Sequence, residues 1–263
     1  MPINSPSDYL ASAKQLALYN KTTARTSVAN IPFTMFDIAG NPGAGTLAIG
    51  NTANGLVPTD ATAGYPIIDN FAAGATGHIA RVFFTNTVAS RVAVYDRLFA
   101  AGAYNFDANI TLASQPSFVS RVPNGNYNGL ELWIEAVTAF TGNQSIRIQY
   151  LDQDGNAGDT GTIATGVAPI VGRMLRLPLA SGDTGLRQIN VVTSTVSTIG
   201  TFNVMVLRKL WEGRVIAANY ADTHNMLRTG MIRVFDNSAL YPIIAADSTS
   251  TGTPTIDIEI ASL

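Results

Sequence analysis

The sequence predicts an all-β protein: a β-sandwich of jelly-roll-like type with a short N-terminal helix. Residues 144–195 alternate strand-like runs with turn signals throughout. Nine strand candidates follow one another between residues 79 and 210 with short connections, which is the rhythm of two sheets packed face to face. The length of 263 residues suits one large β domain, since sandwiches and barrels run to about 200–250 residues as a unit.

Taken in order, residues 5–20 read as a helix, because Tyr9, Leu10, Ala13, Leu16 and Ala17 share one apolar stripe. Ser5 caps the first free amides, Pro6 fits the first helical position, and Asp8 lies where the helix dipole favours negative charge. A helix of this length is marginal alone in water. It must therefore dock, either on its own β domain or on a neighbouring subunit, and its face of Tyr9, Leu10, Leu16 and Tyr19 is the candidate interface. Removing residues 1–24 is then expected to abolish docking and leave the β core folded. From Ile38 to Gly77 the chain is rich in Gly, Ala, Thr, Asn and Pro, with only short apolar pairs. Loops of that length are usually functional or bound to something. The chain thus divides into an N-terminal helix and arm (1–37), a loop-rich excursion (38–77) and a β-sandwich domain (78–263).

The strand candidates are Ile79–Thr87, Ser90–Leu98, Ser117–Val122, Leu130–Phe140, Ser145–Leu151, Gly161–Thr165, Met174–Leu179, Leu186–Thr195 and Thr201–Leu210. The run 130–140 fits either a buried strand or a short helix. Asp154-Gly155-Asn156 supplies the tight turn of a hairpin after Ser145–Leu151. Residues 211–232 break the rhythm, with a turn of helix or an extended link. Strands return at 232–235, 241–245 and 255–260, and in the last of these Ile256, Ile258 and Ile260 face one way with Asp257 and Glu259 opposite.

Composition narrows function by exclusion. Charged residues make up only 13% of the chain against 46% hydrophobic, about half the usual charged share of ~25%. Such a surface suits permanent contact with other subunits. With 16 basic and 18 acidic residues the net charge is −2, and no basic stripe is available to neutralise phosphates, so nucleic acid is not an expected partner. No apolar run reaches the ~18 residues of a membrane span, and the N-terminus lacks the pattern of a secretion signal. Cysteine is absent, which removes disulfides, thiolate catalysis and Cys-ligated metals. The sequons at Asn20, Asn109 and Asn143 read as chance in a chain this rich in Asn, Ser and Thr.

No motif carries chemistry. Gly40-Asn-Pro-Gly-Ala-Gly45-Thr46 has the glycines of a phosphate loop but no lysine and no strand-to-helix context. Asp152, Asp154, Asn156 and Asp159 place four oxygen donors in one loop, which a hairpin tip explains without an ion; calcium is the competing reading, at a spacing that fails the EF-hand pattern. His78 and His224 stand far apart, and no nucleophile elbow accompanies them. Glu131 and Glu135 look like carboxylates on an exposed strand edge. No enzyme activity, metal or cofactor is expected.

Tyr150-Leu-Asp-Gln153-Asp154-Gly155-Asn156 and Leu177-Pro-Leu-Ala-Ser-Gly-Asp-Thr-Gly-Leu-Arg187 resemble stretches of a family of tailed-phage virion proteins, the first its Tyr-x-x-Gln-Asp-Gly hairpin and the second its most distinctive run. Arg228-Thr-Gly-Met-Ile-Arg233-Val-Phe-Asp236-Asn-Ser-Ala-Leu240 resembles its C-terminal pattern, with Ser238-Ala239 in place of Ala-Cys, and Asn20-Lys-Thr-Thr echoes it near the N-terminus. The likeness covers about residues 129–245. It implies a virion structural protein: a capsid decoration or cement protein on the capsid exterior, with a jelly-roll-like core and the major capsid protein as partner. A homotrimer would suit local three-fold positions. A neck, tail or baseplate subunit and a receptor-binding adhesin are the competing readings.

Overall fold

The computed structural model describes residue 3 and residues 5–49, 54–166, 170–194 and 199–263. The helix α1 spans Pro6–Ala11. Strands follow as β1 (Ala13–Lys21), β2 (Pro32–Thr34), β3 (Gly40–Asn41), β4 (Gly77–Thr85), β5 (Ser90–Asn105), β6 (Asn109–Thr111), β7 (Leu130–Ala136), β8 (Ser145–Asp152) and β9 (Ala157–Asp159). The rest are β10 (Ile163–Ala164), β11 (Met174–Leu177), β12 (Leu186–Ser194), β13 (Thr201–Val215), β14 (Ala221–His224), β15 (Arg233–Val234), β16 (Leu240–Ala246) and β17 (Thr255–Ser262), with the one-turn helix α2 at Met226–Thr229.

These strands form three antiparallel sheets. The central one has the order β11-β7-β13-β5-β16-β2; an outer sheet A has β14-β4-β17-β1-β3, with β15 also on β4; an outer sheet B has β10-β8-β12-β6, with β9 also on β8. The hairpin of β5 and β13, 16 and 15 residues long, is the spine. One half of it carries Val92, Val94, Leu210 and Val215 into a core shared with Ile79, Val82, Phe84, Ile256, Ile258 and Ile260 of sheet A. The other half carries Leu98, Tyr104, Phe202, Val204 and Val206 into a core shared with Ile148, Tyr150, Ile189 and Val192 of sheet B. Each such large apolar side chain is worth about 1.5–3 kcal/mol when fully buried. The all-β sandwich with a short N-terminal helix is thus present, elaborated by a third sheet beyond the two of a jelly roll.

The central sheet curls until its edge strands meet, with Phe33 bridging Arg173 and the Thr34 amide donating to the Gly172 carbonyl at 2.8 Å. Its remaining face forms a third core of Tyr95, Trp133, Met174, Met205, Tyr241 and Ile243, closed by Phe36, Leu47 and Tyr65. The excursion from 38 to 77 therefore lies over the central sheet and fills its open face. The part of it at 50–53 lies outside the described residues, as does Thr195.

Three sequence expectations need correction. The N-terminal helix ends at Ala11, where Ser12 accepts an extended conformation and donates its amide to the Tyr9 carbonyl; residues 13–21 are a strand whose alternation sends Ala17, Tyr19 and Lys21 inward. Ser117–Val122 is no strand but holds a 3₁₀ turn at Val119–Arg121, closed by the Arg121 amide on the Phe118 carbonyl and the Val122 amide on the Val119 carbonyl, with Arg121 buried. Glu135 is fully buried, so it does not lie on an exposed strand edge. The run 130–140 resolves as the strand β7, and 211–232 holds the end of β13, then β14 and α2.

Candidate functional site

Among the described residues, the polar clusters that could do chemistry are each occupied in holding the fold. The first is Asp96. On β5 it stands between Val94, in the core beneath sheet A, and Leu98, in the core beneath sheet B, so it occupies the seam between the two halves. It has no exposed surface and pairs with Arg121 at 3.2 Å and Arg208 at 3.3 Å, while the Ser238 hydroxyl (2.8 Å) and the Ala239 amide (3.1 Å) donate to it. Arg121 also donates to the carbonyls of Arg97 and Asn237. Burial lowers the pKa of Arg208, against the raising effect of Asp96. Ser238 and Ala239 belong to the C-terminal stretch of the virion-protein resemblance, so that stretch is the lid on a buried charge.

The second cluster lies on the opposite face. Glu135 accepts hydrogen bonds from Tyr241 and from the Asn203 amide (2.7 Å), with Arg97 at 3.7 Å. Arg97 reaches on to the Tyr65 hydroxyl at 3.2 Å and stacks over the rings of Phe36 and Tyr241. Asn203 also donates to the Leu47 carbonyl at 2.8 Å. Burial first, then Glu135, pushes the Tyr241 hydroxyl well up; burial likewise raises Tyr65. Tyr65 and Leu47 belong to the excursion, so this network fastens the loop to the sheet. Glu131, four residues earlier, accepts from the Trp133 indole at 2.8 Å and pairs with Arg176 at 3.5 Å. The two carboxylates are thus each committed to separate partners within the fold.

The third cluster joins the hairpin at Tyr150 to the run 177–187, two of the stretches that carry the resemblance. The Tyr150 hydroxyl donates to Asp183 at 2.6 Å and accepts from the Ala180 amide at 2.6 Å. The Gln153 side-chain oxygen accepts from the amides of Thr184 (2.9 Å) and Gly185 (3.2 Å). Gly185 is required here, since a Cβ would lie 1.9 Å from the Tyr127 carbonyl oxygen. Burial, then the bond to Asp183, pushes Tyr150 up to about 12. Residues 177–179, 183 and 184 also line an open groove of about 660 Å³ beside β7.

The remaining sequence candidates resolve simply. Asp152 accepts from the amides of Asp154 and Asn156, both at 2.8 Å, and from the Asn156 side chain at 3.1 Å, so the hairpin tip is satisfied from within. The carboxylate of Asp159 pairs with Arg147. Among the described residues no group of three or more His, Asp or Glu is placed to hold a metal ion. In the glycine-rich stretch after Gly40, Lys21 reaches in from β1 and donates to the carbonyls of Ile38 (2.8 Å) and Pro42 (2.9 Å); burial lowers its pKa to about 8. His224 accepts from the Trp211 indole at its Nδ1 and meets Asp222 through Nε2, whereas His78 contacts the Met231 carbonyl. No helix of the described residues is long and apolar enough to cross a membrane.

The four candidate interface residues part company. Tyr19 is buried in the core beneath sheet A and cannot meet a partner. Leu10 and Leu16 are 77% and 52% exposed, and Tyr9 is half-buried with its hydroxyl on Glu259. By strand register, Leu16 lies beside Glu259, Leu18 beside Asp257, and Asp257 beside Phe83. The outer face of sheet A therefore presents Leu16, Leu18 and Phe83 in adjacent rows, with α1 lying over one corner. Sequence reasoning missed Leu18 and Phe83. Only the correct period across 13–21 would have grouped Leu18 with Leu16.

No family model matches the chain, and no curated protein matches its sequence. Among solved structures, one of infectious bursal disease virus, Gx strain, is similar at 9% identity, covering 95% of this chain and 80% of that chain, with a TM-score of 0.19. A mutant VP2 protein of the same virus, in derived T=1 particles, is similar at 12% identity over 95% of this chain and 77% of that chain, with a TM-score of 0.18. Overlap at such TM-scores establishes neither a shared fold nor a shared role.

Proposed function

We propose that this chain is a virion structural protein of a tailed phage, a decoration or cement protein that sits on the capsid exterior and bridges subunits of the major capsid protein. The observation that carries the reading is the bonding of Tyr150 and Gln153 to Ala180–Gly185. Stretches that resemble the virion family separately in sequence are one physical unit in the fold, which chance likeness at two places would not require. Surface chemistry favours the same class. Only 13% of residues are charged, and neutral surface can be covered by a neighbour without stranding ions in a dry contact. The work of such a protein is mechanical: it adds contacts between coat subunits and needs no catalytic group, cofactor, nucleic acid or membrane. Leu10 and Leu16 supply apolar contact area, and a homotrimer would place three copies of it around a local three-fold axis.

The test is the copy number of this chain in purified virions, quantified by mass spectrometry against the major capsid protein. A number comparable with the coat protein is expected. A small number would move the chain to the neck, tail or baseplate, and complete absence would reject the virion reading.

A further inference from the structure

We propose that the seam between sheets A and B carries, at Arg233, a site for a doubly charged tetrahedral oxyanion of the phosphate kind. A charge count leads to it. Arg208 stands on β13 between Val206, in the core beneath sheet B, and Leu210, in the core beneath sheet A, and it donates to the Arg233 carbonyl at 3.0 Å. The two guanidinium groups share one aromatic ring, Arg233 lying 4.6 Å and Arg208 5.5 Å from the centre of Phe235. Arg121 joins them through Asp96, which it and Arg208 both contact. Three guanidinium groups thus gather around one carboxylate, an excess of two positive charges. Among the described residues no second carboxylate comes within ion-pair reach of any of the three, and Asp236, close to Arg233 in sequence, forms no ion pair. The cations feel one another: burial first, and then Arg121 and Arg233, lower the pKa of Arg208 against the raising effect of Asp96.

Buried charge of one sign is costly unless a partner compensates it, and a cleft lined by one sign concentrates its field at the opening. Arg233 is the member at the opening. Arg121 and Arg208 are buried, whereas Arg233 is partly exposed. Its Nε is enclosed without a partner, while its two terminal nitrogens are neither bonded nor enclosed and so face solvent. The side chain is held in place, since β15 pairs Arg233 opposite His78 of β4 and the ring of Phe235 packs against the guanidinium. A guanidinium fixed in this way offers two parallel N–H donors, the fork that suits a pair of phosphate oxygens. A dianion cancels the whole excess, and a single carboxylate would leave half of it. One isolated fork is not the basic stripe that a nucleic-acid backbone needs, so the ligand is a small ion. The inference rests on this seam alone and stands whether or not the chain belongs to a virion.

Inorganic phosphate is the probe. At about tenfold its dissociation constant, phosphate is expected to raise the melting temperature by about 2–4 °C over sodium chloride of equal ionic strength. Arg233→Gln should abolish that rise, whereas Arg91→Gln, which removes the same charge at an exposed arginine of β5, should keep it, and circular dichroism checks each fold. Acetate at the same ionic strength should give no rise. Calorimetric titration of phosphate into the unaltered protein should show one site per chain, and this arm holds even where Arg233→Gln does not fold. A rise in phosphate no larger than in chloride, an undiminished rise in folded Arg233→Gln, an equal rise in acetate, or no heat in the titration would overturn the site and leave Arg233 as a cation served by solvent and the Phe235 ring alone.

Discussion

Replacing Asp96 by Asn tests whether the seam between the two sandwich halves depends on one buried charge. The substitution keeps the size of the side chain and removes the carboxylate that faces Arg121 and Arg208, whose side chains are 1% and 10% exposed. Two guanidinium groups are then left without a counter-ion in the interior, and a new amide NH₂ in place of the oxygen that accepts from Ser238 and Arg208 can accept from neither. Breaking a buried ion pair by removing one partner costs about 3–5 kcal/mol, which is about two to three and a half orders of magnitude in the folded-to-unfolded ratio. Against a total stability of about 5–15 kcal/mol, that is a large fraction. Guanidinium denaturation read by fluorescence supplies the assay, because Trp211 lies in the core beneath sheet A and Trp133 in the core under the excursion. Coincident transitions would show that the halves unfold together; separated transitions would show the seam failing first. A companion variant that also carries Arg121→Met and Arg208→Met should recover most of the loss, since a well-packed apolar replacement is often neutral or stabilising. A loss below about 1 kcal/mol for Asp96→Asn would refute the reasoning, placing it in the range of exposed pairs.

Gly185→Ala should destabilise by about 3 kcal/mol or more, because the added methyl meets the Tyr127 carbonyl oxygen; a midpoint shift in the same denaturation series measures it. Raising pH should leave the fold intact to about pH 10 and then unfold it steeply. Tyr104 and Tyr150 are pushed up to about 12 by burial, with Tyr19, Tyr65 and Tyr241 also raised. Groups raised in the folded state contribute stability below their unfolded pKa of about 10 and lose it as pH climbs through the folded values. Lys21, lowered to about 8, acts oppositely, its contribution to stability growing between about pH 8 and 10.5. The part of the tyrosinate absorbance that comes from the buried tyrosines should rise together with loss of circular dichroism rather than before it. Deleting residues 1–11 should leave the melting temperature within a few degrees, because α1 buries no residue. Deleting 1–24 should instead unfold sheet A, since it removes β1; a melting curve unchanged by the longer deletion would contradict the strand assignment.

Much of the sheet was legible because most strands carry period-two patterns of their own. The last strand is the plainest case: Ile256, Ile258 and Ile260 face the core as their alternation requires. Asp154-Gly155-Asn156 likewise forms its turn with local bonds to Asp152. Residues 5–20 misled because two periods overlap there. Tyr9, Leu10, Ala13, Leu16 and Ala17 satisfy a helical stripe, while Ala17, Tyr19 and Lys21 inward against Leu16, Leu18 and Asn20 outward satisfy a strand. The cap at Ser5 was read rightly, but nothing local marks Ser12 as the stop; eight successive pairings with β17 decide it. Strands β5 and β13 ran past their expected ends for a similar reason. Gly102 looks like a breaker, yet a Cβ there would lie 2.2 Å from the Asn203 side-chain oxygen, so the glycine permits close pairing within the sheet. The partners of Asp96 and Glu135 come from 25 to 143 residues away, and no pattern in the sequence links positions across such spans.

The same distinction governs where function can be sought. The stretches that resemble the virion family fix the scaffold: Tyr150, Gln153, Asp183 and Gly185 lock a hairpin to a loop, and Ser238 and Ala239 close over Asp96. Residues bonded in this way have few alternatives, so such a sequence pattern persists as long as the fold does, whatever the outer surface touches. Partner contacts answer to different constraints, because an exposed leucine such as Leu16 or Leu10 has no neighbour within its own chain that demands it. Substitutions at the scaffold positions should therefore lower stability and assembly together. Substitutions on the outer face of sheet A should separate the two, leaving the denaturation midpoint in place while changing what the protein binds. Leu16→Lys is the sharpest case: its stability should stay within about 0.5 kcal/mol of the parent, as for surface positions generally, while any assembly that uses this face is lost. A large loss of stability from Leu16→Lys would mean that the outer face of sheet A is packed within the single chain and has no free surface to offer.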